Sequence, residues 1–80
     1  MGDFDRTEKE RTVLRGLKKL GLSLSRGSKH NLATHLPTGK KTTIPRHKEL
    51  NKFTVGSICD FLISCGFSEA DVKDAFNWKG

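Results

Sequence analysis

Between Leu22 and Ile44 the chain has room for three short strands and no room for a crossover between them. Leu22-Ser23-Leu24-Ser25 alternates apolar and polar side chains, as a half-buried strand does. Arg26-Gly27-Ser28 makes a turn, and Lys29 to His35, which contains Leu32 and Ala33, forms a second strand. Leu36-Pro37-Thr38-Gly39-Lys40 is a hairpin connection with Pro and Gly in turn roles. Lys41-Thr42-Thr43-Ile44 is a β-rich third strand, ended by Pro45. Parallel pairing requires a connection of roughly a dozen residues or more, so strands joined this closely form an antiparallel meander.

Helical patterns flank the meander. Thr7 followed by Glu10 has the spacing of a capping box, and Val13, Leu14, Leu17 and Leu20 recur at helical intervals up to Gly21. These predict a first helix over about 7–20, with Arg11, Arg15, Lys18 and Lys19 on its polar face. Gly16 inside that helix costs about 1 kcal/mol against Ala, which points to close packing. Arg46 to Lys52 is expected to be an irregular linker. A second helix starts near Thr54, turns Val55, Ile58, Phe61, Leu62 and Cys65 inward, and stops at Gly66. Ser68 caps a short third helix, with Asp71 completing the box and Phe67 packing on Val72 as a staple. Trp78 either tucks back against the domain or frays, and residues 77–80 have no clear assignment. The expected fold class is α+β, in the order α-β-β-β-α-α, with helices covering one face of a three-stranded antiparallel sheet.

Eighty residues make one domain with an economical core. No apolar run is long enough to cross a membrane, and the polar start resembles no secretory signal, so the chain is expected to be complete and cytoplasmic. Cys59 and Cys65 do not share a helix face, a poor geometry for a mutual disulfide, and both are expected to be reduced. Net charge is +6, and its placement matters more than its size. Arg26, Lys29, Lys40, Lys41, Arg46 and Lys48 stand with all three histidines in a segment that contains no acid. Such a segment suits a polyanion, nucleic acid first. A solvated basic face, or a docking surface for an acidic protein, accounts for the same charge.

The segment also carries two short motifs, Gly27-Ser28-Lys29-His30 and Ile44-Pro45-Arg46-His47-Lys48-Glu49-Leu50. Preceded by a helix ending Leu17-Lys18-Lys19-Leu20-Gly21 and followed by a helix over Thr54 to Gly66, they resemble the HicA-type toxins. These are small ribonucleases of toxin–antitoxin pairs, with a fold like that of the double-stranded RNA-binding domain. The likeness covers roughly residues 10–70. It implies that His30 is catalytic, that Gly27 is the matching turn glycine, that the substrate is mRNA, and that a HicB-type antitoxin is the partner. It departs from the family at Ala33, where members usually carry an aromatic, which bears on base stacking or strand packing.

RNA cleavage needs a 2′-hydroxyl deprotonated and a 5′-oxygen protonated, and a histidine, with an ordinary pKa of about 6.5, serves either step. Lys29, Arg26 and Ser28 are candidates to hold the phosphate and neutralise its transition-state charge, and Gly27 to bring backbone N–H groups close to it. Arg46, His47 and Lys41 are further phosphate contacts, with His47 a lesser candidate for catalytic partner. His35 is expected to be a solvated edge residue, and Lys40 a remote contact or an edge-strand charge. Each of these also has a plain structural role open to it as a surface cation or turn residue. The segment offers no carboxylates to hold metal ions, so no metal and no cofactor are expected. The competing functions are a non-catalytic double-stranded RNA-binding module and a basic protein-docking adaptor.

Overall fold

The computed structural model describes residues 6–78. Its elements are β1 (Glu8–Lys9), α1 (Glu10–Lys19), β2 (Ser23–Arg26), β3 (His30–His35), β4 (Lys40–Pro45), β5 (Glu49–Leu50), α2 (Lys52–Ser64) and α3 (Glu69–Ala75). Strands β2, β3 and β4 form the expected antiparallel meander, in that order, and the class is α+β. The register sets Leu24 opposite Ala33 and Ala33 opposite Thr42, with Asn31 opposite Ile44. Strand alternation then puts these residues on the face that the helices cover. Ala33 and Ile44 are accordingly sealed from solvent. The neighbours Ser25, His30, Thr43 and Lys41 are exposed, on the face that no helix covers.

Each helix buries one stripe. Val13, Gly16 and Leu17 of α1 meet Val55, Ile58, Cys59 and Leu62 of α2 and Val72 and Ala75 of α3 in a core completed by Leu22, Leu50 and Phe76. The buried stripe of α2 runs through Cys59; of the residues expected on it, Phe61 packs half-buried against the core and Cys65 is the half-buried C-cap. Both cysteines are free thiols. Burial, with the Asp60 carboxylate adding to it, pushes the Cys59 thiol up to about 12, so it is an inert core side chain rather than a nucleophile. Gly16 is where α3 reaches α1: a Cβ there would overlap the Phe76 ring and stand 3.1 Å from the Ala75 carbonyl oxygen. The α3 capping box forms as expected, Ser68 Oγ accepting from the Asp71 N–H at 3.1 Å and Asp71 Oδ2 from the Ser68 N–H at 3.2 Å.

Three expectations are corrected. The α1 capping box does not form. The backbone pairs Glu8 with Leu50 and Lys9 with Glu49 in a small antiparallel ribbon, and the Glu10 N–H donates to the Lys48 carbonyl at 3.1 Å. A strand partner thus satisfies a donor that Thr7 would have capped, and the helix starts at Glu10, after an N-cap Lys9 that makes no side-chain cap. For the same reason the segment after Pro45 is not irregular throughout: Leu50 is buried and anchors β5. Helix α2 begins at Lys52, two residues before the expected Thr54, because Asn51 Oδ1 accepts from the Thr54 N–H at 2.9 Å and so acts as N-cap. Trp78 tucks back, its Nε1 donating to Glu8 Oε2 at 2.7 Å, with its ring 5.1 Å from that of Phe76. Lys79 and Gly80 lie outside the described residues. No helix among the described residues is long and apolar enough to cross a membrane.

Candidate functional site

The turn between β2 and β3 is closed by the Gly27 N–H donating to the His30 carbonyl at 2.8 Å. A Cβ on Gly27 would stand 2.8 Å from that same oxygen, closer than side-chain carbons approach backbone, so the turn takes glycine here. This N–H is committed to closing the turn, so any backbone donor the turn offers an anion is not that of Gly27 itself. His30 then begins β3 directly, opposite Pro45 of β4, and is exposed on the open sheet face.

Arg46, the residue after β4, locks the arrangement. Its Nη1 donates to the carbonyls of Gly27 and Ser28, each at 3.1 Å. The two sequence motifs, far apart in the chain, are thus one unit: the Pro45-Arg46 corner holds the turn that presents His30. The guanidinium has further N–H donors beyond this clamp. It remains a cation at the site whatever else it bonds.

Residues 25–32 and Thr43 of β4 enclose an open cavity of about 390 Å³. Arg26, Gly27, Ser28, Lys29 and His30 all line it, and no carboxylate does. Neither Arg26 nor Lys29 makes a side-chain hydrogen bond or ion pair with another described residue. Lys29 stands in the turn itself, whereas Arg26, the register partner of Asn31, belongs by strand alternation to the other face of the sheet from His30 and borders both this cavity and the one that holds His47. A histidine beside unpaired cations and a hydroxyl can bind a phosphodiester and exchange a proton with an adjacent hydroxyl.

The structure gathers five of the eight sequence candidates into this cavity and attaches Arg46 through its hydrogen bonds. It does not bring in the other two. His47 lines a separate cavity of about 480 Å³, where it stands with Arg46, Lys48 and Glu10, and where Arg26 is shared between the two spaces. There Asn31 Nδ2 donates to Glu10 Oε2 at 3.3 Å. Lys41 lies on the open face opposite Thr34, outside the cavity lining. His35 is buried rather than solvated, with 9% of its surface exposed; Nδ1 is 2.7 Å from Thr38 Oγ1 and the ring meets Phe67 edge-on at 5.3 Å. Lys40 Nζ donates to the Ser64 carbonyl at 2.9 Å, which ties the β3–β4 hairpin to the end of α2. Both are hairpin anchors. Ala33 is fully buried opposite Leu24 and Thr42, so its difference from the HicA-type pattern concerns strand packing, not the open face.

Sequence reasoning missed Ser25, Asn31, Leu32 and Thr43 as cavity residues, and for Leu32 and Thr43 a signal existed. The signal was available in the strand period: each is two residues from His30 or Pro45, hence on the same face. No group of three or more His, Cys, Asp or Glu among the described residues is placed to hold a metal ion. No protein-family profile, no curated protein and no solved structure matches this chain.

Proposed function

We propose that this chain is a metal-independent endoribonuclease that cleaves single-stranded mRNA in the cytoplasm, as the toxin of a toxin–antitoxin pair, with a HicB-type protein as its antitoxin. The observation that carries the chemistry is His30, exposed at a cavity whose lining includes Lys29 and Arg26 and no carboxylate. The class of toxin and the partner rest on the likeness of the two motifs to HicA-type proteins, and the clamp between those motifs is what a shared functional unit requires.

In the proposed step His30 takes the proton of a ribose 2′-hydroxyl. The 2′-oxygen attacks the adjacent phosphorus, the bond to the 5′-oxygen breaks, and that oxygen leaves with a proton from water. The products are a 2′,3′-cyclic phosphate end and a 5′-hydroxyl end. Lys29 and Arg26 neutralise charge on the phosphorane, and Ser28 donates to a phosphate oxygen. The cavity lining has none of the carboxylates that a two-metal nuclease uses.

The test is cleavage of labelled single-stranded RNA in EDTA. The parent is expected to cut RNA and not DNA, and His30→Ala to lower the rate by roughly 10²- to 10⁴-fold with folding unchanged. Equal cutting by both proteins removes His30 from the chemistry. Tight binding that grows with duplex length, with no cutting by the parent, replaces the enzyme with a binding module.

A further inference from the structure

Phe53 is the most exposed large apolar side chain among the described residues, with 77% of its surface open. It sits in the first turn of α2, where neither the core nor the helix cap uses it. Its ring stands at the rim of a second open cavity, of about 320 Å³, between α2 and the free edge of β4. The hydroxyl-bearing residues Thr42, Thr43, Thr54 and Ser57 line it, together with Pro45 and Ile58. No charged side chain lines this groove. The Lys52 ammonium lies 5.5 Å from the ring centroid, over its face.

The groove continues the His30 site. Thr43 lines both spaces. Pro45, on the groove floor, is the register partner of His30. A strand of RNA with its phosphate beside His30 therefore has an uncharged, hydroxyl-lined slot with an exposed ring next along its path. That is the chemistry of a nucleobase: a π-face to stack and edge groups that exchange hydrogen bonds with hydroxyls. The Lys52 ammonium lies over one face of the ring and outside the groove lining, so the opposite face is the one open to stacking.

We propose that the groove between α2 and β4 is a nucleobase-binding subsite, in which Phe53 stacks on an unpaired base of the RNA whose phosphate lies at His30. The proposal rests on the ribonuclease reading given above. It gives the single-strand preference of that reading a physical cause, since only an unpaired base can enter, and it makes Phe53 a binding residue with no part in proton transfer.

The test measures binding of a short fluorescent single-stranded RNA to the full chain carrying His30→Ala, with and without Phe53→Ala, and repeats it with an RNA whose bases are replaced by abasic sites. Stacking contributes about 1–3 kcal/mol per base, which corresponds to roughly 5- to 150-fold in affinity. Phe53→Ala is expected to weaken binding of the intact RNA by that factor and of the abasic RNA less than twofold, and Phe53→Trp to restore binding. With His30 present, Phe53→Ala is expected to raise KM by a similar factor. If the parent cuts RNA through His30 and Phe53→Ala binds and cuts as the parent does, the subsite is wrong and the enzyme stands. Equal losses on intact and abasic RNA mean that Phe53 acts through structure, which also overturns the subsite. Loss of affinity for a co-purified protein partner, with RNA binding unchanged, assigns the ring to a protein interface instead. If the parent neither cuts nor binds RNA, both proposals fall together.

Discussion

At the scale of single residues, the turn before His30 was legible from Arg26-Gly27-Ser28, whereas the role expected of His30 came from the likeness of its motif to HicA-type proteins. The part played by Arg46 was not legible. A cation in a basic segment announces charge, and nothing in Ile44-Pro45-Arg46-His47 says that the guanidinium turns back onto two carbonyls of another strand connection. The distinction is testable, because the two roles respond differently to lysine. If Arg46 acted only as a positive charge, Arg46→Lys would retain most activity. A lysine cannot bridge two carbonyls in the planar geometry of a guanidinium. If the chain is the ribonuclease proposed above, Arg46→Lys is therefore expected to lower kcat by roughly 10- to 100-fold, about as much as Arg46→Met, since a small displacement of a catalytic group has effects of that size. Steady-state kinetics of both variants decide it; a lysine variant with parental kcat makes Arg46 a charge alone.

Among elements, those with a strong period were legible and those held by partners were not. The three-strand meander and the Ser68–Asp71 capping box follow from local pattern, and both form. Glu8–Lys9 and Glu49–Leu50 are too short to show a period, and exist because each satisfies the other's backbone. The Thr7–Glu10 spacing misled because a capping box competes with any other acceptor for the same N–H, and Lys48 won. The α2 cap was readable in hindsight from Asn51 followed by Thr54 and Val55, where attention to the apolar stripe alone put the start too late. Gly16 joins two elements that neither pattern connects. Alanine is the better helix former by about 1 kcal/mol, so propensity alone says that Gly16→Ala stabilises α1. The Phe76 ring occupies the space the new methyl needs, and overpacking of that kind costs about 1–3 kcal/mol. The expected result is a lower melting temperature for Gly16→Ala and recovery when Phe76→Leu is added. A stabilised single variant would mean that α3 is free to shift away from α1.

Taken as a whole, the molecule carries +6 on a small body, and the sequence could not say whether this is a general field or a site. The fold divides the cations. Lys18 and its neighbours on the polar face of α1 are exposed outside the cavity lining. Arg26 and Lys29 line the cavity, Arg46 is bonded to its turn, and Lys41 lies farther along the open face. Single-stranded RNA releases counterions in proportion to the phosphates engaged, with log K falling by about 0.7 per contact for each decade of salt. Three or four contacts from this set predict a slope of about −2 to −3, and a fall in affinity of roughly 20- to 50-fold between 50 and 200 mM salt. Lys29→Gln is expected to reduce the slope by about 0.7, whereas Lys18→Gln, which removes the same unit of net charge, is expected to leave it unchanged. Titrations of the His30→Ala protein with labelled RNA at four salt concentrations give all three slopes. Equal reductions by the two variants would mean that net charge alone attracts the RNA. A smaller slope for Lys29→Gln alone would mean that phosphates are held at the His30 cavity, where the proposed cleavage requires them.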